Sequence, residues 1–191
     1  MKLSTKRLIL RQPTGKDTKS LIRNINNLEV SKWLLVVPYP YTKKDALWWI
    51  NHCKEKAGEK PRKSYEFNIQ LKGEEGVIGG VGISKIDKYQ KTAVVGYWLG
   101  EDYWRQGIVS EAFEQLLKFA FERLKMRRLE AEVYAGNKKS AGLLMKFGFK
   151  YEGTKRKACV CKADGKIHDA EIYGLLDEEY GGRHGRRKRK N

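Results

Sequence analysis

The sequence predicts a mixed α/β (α+β) domain in which a mostly antiparallel, twisted sheet of about seven strands is flanked by about four helices. Three observations support this prediction. Short alternating or continuous apolar runs recur along the chain, one long segment repeats apolar residues at steps of three and four, and turn-forming residues separate these segments. With 191 residues, of which 40% are hydrophobic, the chain can bury one sizeable core, so we expect one domain.

The N-terminal third is predicted to contain one strand and two helices. Alternating apolar and charged residues predict the strand from Thr5 to Gln12. A helix follows around Leu21, and Thr42 with Asp45 three residues later is typical of the cap that starts a second helix. The prolines of VVPYPY disfavour helical backbone, so the segment between the two helices is predicted to be an ordered loop.

The middle of the chain is predicted to form an antiparallel meander followed by the longest helix. Turn-like residues separate three strands, Tyr65 to Leu71, Val77 to Ile86 and Thr92 to Leu99. From Val109 to Leu124, apolar residues at helical spacing predict a helix with one wide apolar face.

The C-terminal part adds three strands and a short helix. The predicted elements are a strand from Arg128 to Tyr134, a helix from Lys138 to Phe147, and strands from Tyr151 to Ala163 and from Lys166 to Leu176 around an Asp-Gly turn. Residues 181–191 are basic and have no apolar residue to bury. We therefore expect a domain over residues 1–180 and a disordered tail over residues 181–191.

Positive charge dominates the composition. The chain has 40 Lys and Arg against 23 Asp and Glu, a formal net charge of +17, and the last nine residues hold six of the positive charges. This balance predicts an anionic partner, for which RNA, the ribosome and a phosphate-bearing cofactor are all eligible.

Cysteine usage and apolar runs indicate the environment of the protein. Cys53, Cys159 and Cys161 are odd in number, and the C-x-C pair suits two neighbours on one strand face better than a metal site. We therefore expect free thiols and no metal. No apolar run approaches the roughly 18 residues that span a bilayer, and Lys6 with Arg7 lie where a signal peptide would be apolar. We expect a cytoplasmic protein that makes no membrane contact.

The segment before the longest helix is a candidate phosphate-binding loop. It reads YWRQGIVSEA from Tyr103 to Ala112. Gly107 allows close backbone approach, and the free N–H groups from Arg105 to Ser110 at a helix N-terminus can hold a pyrophosphate. One glycine before a helix is usually only a turn, so this prediction depends on the segments considered next.

Four ordered segments together resemble the GNAT superfamily of acetyl-CoA-dependent N-acetyltransferases. They are the loop just described, NKKSAGLLMKFGFKYEG at 137–153, IGGVGIS followed by GYWLGEDYW, and DGKIHDAEIYGLL. The likeness covers most of residues 5–176. In the family's loop signature this chain has Trp104, Gly107 and Val109, of which the first and last depart from the general pattern. An aromatic residue at the first position resembles the ribosomal-protein alanine N-acetyltransferase branch.

The resemblance implies a GNAT-like sheet that is splayed between its fourth and fifth strands, and it implies the site residues. Backbone groups of Trp98 and Leu99 would contact pantetheine at the splay. Asn137 would form a hydrogen bond to CoA near its thioester arm, and Ser140 would face the sulfur as the acid for the leaving thiolate. The phosphates of acetyl-CoA would lie on Arg105, Gln106, Gly107, Ile108, Val109 and Ser110. Simpler interpretations stay open, since Asn137 is a natural helix cap, Trp98 suits a core and Ser140 can be an ordinary helix residue.

The general base is not identified by the resemblance. The family often has Glu just before Gly-Tyr-Trp on the fourth strand, or an acid on the sixth strand, but Val94 and Cys159 occupy these positions. Glu29, Glu66 and His168 are further candidates that the sequence does not rank, and a water chain is equally possible. At pH 7 an α-amine is roughly one-tenth neutral and a lysine amine only about four parts in ten thousand. A site without a strong base therefore favours the α-amine.

The predicted function is acetyl transfer from acetyl-CoA to an amine, with the N-terminal α-amine of a ribosomal-type protein preferred, by direct attack in a ternary complex. The enzyme would act as a monomer or homodimer, and its tail would contact RNA or the ribosome. One alternative is a polyamine or aminoglycoside acetyltransferase, although the net charge would repel such polycations. A second alternative is an RNA-binding or ribosome-binding protein, although no RNA-binding motif of known spacing is present.

Overall fold

A single eight-stranded sheet forms the centre of the protein. The computed structural model describes residues 1–183. The strands are β1 (Lys2–Ser4), β2 (Leu8–Arg11), β3 (Tyr65–Leu71), β4 (Gly79–Asp87), β5 (Thr92–Leu99), β6 (Arg128–Tyr134), β7 (Lys150–Val160) and β8 (Ile167–Leu176). Their spatial order is β1-β2-β3-β4-β5-β6-β8-β7. All neighbouring pairs are antiparallel except β5 and β6, which are parallel, so the predicted mixed sheet is confirmed.

Six α-helices accompany the sheet within the described residues. They are α1 (Thr18–Ile25), α2 (Leu28–Ser31), α3 (Lys43–Gly58), α4 (Ile108–Lys118), α5 (Lys138–Lys146) and α6 (Asp177–Arg183). Short 3-10 turns lie at Gly15–Asp17 and Glu101–Tyr103, and a π-helical turn at Phe119–Arg123 continues α4.

The numbers of strands and helices exceed the predicted seven and four for local reasons. The strand predicted from Thr5 to Gln12 is the second half of a hairpin, because the chain turns at Thr5, whose N–H donates to Leu8 O at 3.0 Å. Helix α2 has four residues, too few to show an apolar period. Helix α6 begins with acidic residues, which interact favourably with a helix N-terminus. The long helix predicted from Val109 to Leu124 is α-helical only as far as Lys118 and continues as the π-helical turn.

The predicted tail lies almost entirely beyond the described part of the chain. Helix α6 extends to Arg183, so the domain boundary predicted after residue 180 falls within a helix. Residues 184–191 lie outside the described residues. Between residues 1 and 183, no helix combines the length and the apolar character that crossing a membrane requires. The three cysteines are free thiols, as predicted.

Helices cover the two faces of the sheet with separate clusters of buried side chains. On the face that we call the α4 face, a large cluster includes Phe113 and Leu116 of α4. On the opposite face, the α3 face, a smaller cluster includes Leu21 of α1 and Ile50 of α3. The strands between these layers alternate their side chains between the two faces.

Strands β5 and β6 are paired only where they begin. The paired residues are Thr92 with Arg128, Ala93 with Leu129 and Val94 with Glu130. Beyond these pairs β5 continues to Leu99 and β6 to Tyr134 without pairing to one another. The fourth and fifth predicted strands correspond to β5 and β6, so the splay predicted between them is present. We call this opening the split.

A buried ion pair fastens the start of α1 to β2. Arg11 donates from Nη1 and Nη2 to the two carboxylate oxygens of Asp17 at 2.8 and 2.7 Å. Asp17 is only 2% exposed, and its carboxylate also accepts the Thr14 N–H at 2.7 Å. Burial raises the pKa of Asp17, but the hydrogen bonds from Arg11 and Thr14 outweigh it, so this pKa lies below the ordinary 3.8.

Replacing Asp17 with Ala should lower the free energy of unfolding by about 3 kcal/mol, because Arg11 would be left without its partner. Urea denaturation at pH 7 measures the loss, with the exposed residue change Glu75→Ala as control. Because the folded-state pKa is depressed, the stabilisation is complete above pH 3.8 and disappears as the pH falls through the folded value. A stability difference that stays constant down to the acid-unfolding range would contradict this account.

Candidate functional site

The loop before α4 presents backbone N–H groups at a helix end without a cap. Gly107 is the N-cap residue with φ of 71°, and no side chain of the described protein caps this helix. Arg105 has a φ of 60°, which is uncommon for a residue with a side chain. The first N–H groups of a helix have no intrahelical acceptor, and the helix dipole makes this end attractive to an anion. The loop can therefore receive a phosphate group.

Arg7 holds this loop in position. In the turn before β2, its Nη1 donates to Gln106 O at 3.0 Å and its Nε pairs with Glu111 Oε2 at 2.6 Å. The ion pair balances the acidic side chain in the first turn of α4, which would otherwise repel an anion. No signal in the sequence pointed to Arg7, because it is 99 residues from Gln106 along the chain.

The six predicted phosphate-binding residues lie together at the start of α4. Arg105 and Gln106 are exposed, whereas the Ile108 side chain is buried in the core. Ser110 Oγ accepts a hydrogen bond of 3.4 Å from Nζ of Lys146 on α5. The backbone N–H groups of this segment, with a cation beside them, thus form one surface.

Trp104, which departs from the family's loop signature, connects the loop to both sides of the split. Its indole Nε1 donates to Leu99 O at 2.8 Å. Nζ of Lys139, in the first turn of α5, lies 4.3 Å from the centroid of the Trp104 ring. The aromatic residue thus has a structural role that a shorter polar side chain could not supply.

Backbone groups at the end of β5 alternate between β4 and the split. Gly100 N–H donates to Ile78 O at 2.8 Å on the β4 side. Successive residues of a strand direct their backbone groups to opposite sides. Trp98, which pairs with Gly80, therefore directs its groups to β4, while Tyr97 and Leu99 direct theirs to the split. The Trp98 side chain packs on the α3 face.

Ser140 and Tyr97 form a hydroxyl pair on the α4 face of the split. The Tyr97 hydroxyl lies 2.7 Å from Ser140 Oγ and donates to Ser140 O at 3.1 Å. Burial raises the pKa of Tyr97 to about 12, so its phenol is protonated at neutral pH. Asn137 caps α5, because its Oδ1 accepts the Ser140 N–H at 3.2 Å. Tyr97 is a candidate that the sequence alone did not reveal, because its apolar neighbours suggested only a core strand.

The base candidates differ in their surroundings. Glu29 is exposed and pairs with Lys32 at 2.6 Å. The His168 ring stacks on Tyr134 with centroids 4.5 Å apart. Glu66 on β3 is half-buried, and burial raises its pKa to about 8. Cys159, at one of the positions where the family has an acid, donates to Glu132 Oε1 at 3.7 Å. Glu66 thus combines partial burial with a raised pKa.

Comparison with known proteins agrees with this fold. Residues 7–150 match the family model described as an acetyltransferase (GNAT) domain. The uncharacterized N-acetyltransferase p20 of Bacillus licheniformis is 32% identical over 182 residues, which cover 94% of this chain and 98% of that protein. The ribosomal-protein-serine acetyltransferase of Escherichia coli K12 is 29% identical over 97 residues, 51% of this chain and 54% of that protein.

A solved structure extends the likeness to three dimensions. RimL, a ribosomal α-N-protein acetyltransferase in complex with coenzyme A, superposes with a TM-score of 0.79 at 19% identity, over 92% of this chain and 98% of that chain. At this identity the match concerns the fold alone. The family model, by contrast, covers most of the chain and includes the α4 loop, the split and α5. The chain therefore belongs to the GNAT acetyltransferase family and is an N-acetyltransferase.

Proposed function

We propose that this N-acetyltransferase transfers the acetyl group of acetyl-CoA to the N-terminal α-amine of a protein. The observation that carries the proposal is an apolar surface beside the split on the α3 face. Its exposed side chains lie on α2, on the loop after it and at the start of α3: Leu28, Leu35, Val36, Tyr39, Leu47 and Trp48.

This surface suits a polypeptide acceptor better than a small polyamine. An exposed apolar patch of this kind marks a surface that binds another molecule. Val37 and Trp49, from the same segment, pack in the cluster that Trp98 of β5 also contacts. A peptide bound along the segment would thus bring its N-terminus to the split. Polyamines and aminoglycosides would bury less apolar area here than a peptide, and the net charge of +17 would repel them.

The donor site in this proposal uses the α4 loop and the split. Backbone N–H groups of residues 105–110 would hold the pyrophosphate, with Lys146 beside them. Tyr97 and Leu99 would offer backbone groups to the pantetheine arm, as a neighbouring strand would. The Asn137 amide would add a donor, because capping uses only its oxygen.

The chemistry requires a neutral amine, stabilisation of the developing oxyanion and a proton for the departing thiolate. Ser140 is the proposed acid. In the reaction the neutral phenol of Tyr97 would turn its single proton from Ser140 O to Ser140 Oγ, 2.7 Å away, which leaves the serine hydroxyl proton free to reach the sulfur. Because a thiolate is a fairly stable leaving group, a weakly acidic hydroxyl is sufficient.

A panel of acceptors tests the proposal. With acetyl-CoA, peptides with free N-terminal Ala, Ser or Met should be acetylated on the α-amine, as mass spectrometry can locate. Peptides with a blocked N-terminus and an internal lysine should have a kcat/KM lower by on the order of 100-fold, because a far smaller fraction of the lysine amine is neutral at pH 7. Faster acetylation of spermidine or an aminoglycoside would contradict the proposal and favour the small-amine alternative.

A further inference from the structure

We propose that Glu66 is the general base that accepts a proton from the acceptor amine, across a floor of two glycines that leads to the split. The inference rests on the proposed function in one respect, namely that the acceptor reaches the split from the α3 face. It assigns a catalytic role to a residue on β3, a strand on which the family resemblance placed no site residue.

Glu66, Gly82 and Gly96 lie side by side on three neighbouring strands. In the strand register Glu66 pairs with Gly82, and Gly82 pairs with Gly96. Their chain neighbours Phe67 and Val81 belong to the cluster on the α4 face. Because successive residues alternate between faces, Glu66 and both glycine positions belong to the α3 face.

The Glu66 carboxylate extends over Gly82. A Cβ atom at residue 82 would overlap the carboxylate, so only glycine leaves it room, whereas a Cβ atom at Gly96 would meet nothing within 4 Å. Since neighbouring strands are about 4.8 Å apart, the carboxylate is on the order of 5 Å from the open space above Gly96. An amine there can reach Glu66 directly or through one water.

This open space adjoins the split. Gly96 lies two residues beyond Val94, the last residue of β5 that pairs with β6. The Tyr97–Ser140 hydroxyl pair lies on the opposite face of the sheet. A base on the α3 face and an acid on the α4 face allow the amine to approach the thioester from one side while the thiolate leaves on the other.

The electrostatic environment of Glu66 suits an α-amine. Burial raises the Glu66 pKa to about 8, and the charge of Arg62 partly offsets this effect. Cys53 of α3 also interacts with Glu66, and burial keeps its thiol neutral by raising the pKa of Cys53. Transfer of a proton from an α-amine of pKa about 8 is nearly balanced, whereas a lysine of pKa about 10.4 opposes it roughly 250-fold.

Glu132 is the rival carboxylate on the same face. It lies on β6, two residues beyond the last pair with β5. Its carboxylate is 3.7 Å from Lys155 Nζ and accepts from Cys159 Sγ at 3.7 Å. These contacts already occupy the Glu132 carboxylate, so an incoming amine would have to displace a partner. The experiment therefore includes this residue.

The proposed step balances its protons. Glu66 accepts one proton from the acceptor ammonium, and the neutral nitrogen forms a bond to the acetyl carbon. As the carbon–sulfur bond breaks, Ser140 donates its proton to the sulfur, and the second proton of the nitrogen returns to Ser140. The products are the amide, CoA thiol and protonated Glu66, which releases its proton to solvent.

The test compares kcat of the wild type and of Glu66→Gln between pH 6.5 and 9.5 with saturating substrates. At pH 8, where Glu66 is partly ionised and part of the amine still holds its extra proton, the variant should be slower by about 100-fold, the lower range for loss of a general base. The ratio should shrink to a few-fold at pH 9.5, where the amine is already neutral, and at pH 6.5, where the wild-type carboxylate is itself protonated. Glu75→Gln, an exposed carboxylate in the β3–β4 turn, should behave as wild type.

Several results would overturn the proposal. A wild-type to Glu66→Gln ratio that is near one, or large and independent of pH, would mean that Glu66 is not the base. A pH-dependent loss in Glu132→Gln instead would assign the base to Glu132. Gly82→Ala should reproduce part of the loss of kcat, because the added methyl group displaces the Glu66 carboxylate. If Gly82→Ala does not fold, the result for Glu66→Gln alone decides whether Glu66 is the base. The ratio of wild-type to variant kcat is measured on whichever amine the wild type acetylates. An error in the proposed acceptor class would therefore show in the acceptor panel and not in this ratio.

Discussion

Replacing Gly107 with Trp is expected to weaken binding of CoA by more than about 100-fold, or about 2.7 kcal/mol, while the protein stays folded. A Cβ atom at this position would meet only Arg7 Nη2 at 3.6 Å, so a side chain can leave the backbone here without a clash. That room is the space proposed for the pyrophosphate, and a Trp side chain would fill it. Isothermal titration calorimetry with CoA measures the effect.

Backbone strain must be separated from this blocking. Gly107 and Gly165 share a φ of 71°, and a Cβ atom at Gly165 meets nothing within 4 Å. Any residue with a side chain in this left-handed conformation costs on the order of 1–2 kcal/mol. Gly165→Trp, in the β7–β8 turn, should therefore lose similar stability and keep its CoA affinity. If folded Gly107→Trp kept its affinity for CoA, the pyrophosphate would not bind at the α4 loop.

Ser140→Ala should lower kcat by about 100-fold, because general acids contribute at least this much, and should leave the dissociation constant of acetyl-CoA within about twofold. A leaving-group acid acts mainly in the transition state, so its loss affects turnover more than binding. Single-turnover kinetics with a peptide acceptor, together with calorimetry, separate the two quantities.

Tyr97→Phe provides the matched comparison. This change removes the hydroxyl that lies 2.7 Å from Ser140 Oγ but leaves the serine in place, so the loss of kcat should be smaller. If the two hydroxyls act as one unit, the double variant should be no slower than Ser140→Ala alone. Loss of acetyl-CoA affinity without loss of turnover in Ser140→Ala would reassign Ser140 to donor binding.

Much of the fold was predictable because its determinants are local. The capping box of Thr42 and Asp45 starts α3 as expected, and Asn137 caps α5. Apolar spacing also located α4, whose Phe113 is fully buried. The β1–β2 hairpin was missed, because a three-residue strand is too short to show a pattern. The π-helical turn after Lys118 preserves the apolar face and therefore has no distinct signature.

The candidate site was predictable only where it is continuous in sequence. The α4 loop and the start of α5 could be identified from their own residues. Arg7 could not be identified, and Glu66 could be named only as one of several unranked base candidates, because their roles depend on the fold bringing them to Gln106 and Gly82. The raised pKa of Glu66 results from burial. The sequence shows only a polar residue on an ordinary strand, and that pattern does not reveal how deeply the residue is buried.

The split also bears on how the protein avoids self-association. Unpaired strand edges usually recruit strands from other molecules and promote aggregation. Here the free edges of β5 beyond Val94 and of β6 beyond Glu130 face one another inside the sheet. Each edge shields the other from a second polypeptide, while a slender extended molecule can still enter between them. At the split, backbone hydrogen-bonding groups thus stay ready for a ligand without offering a template to a strand of another molecule.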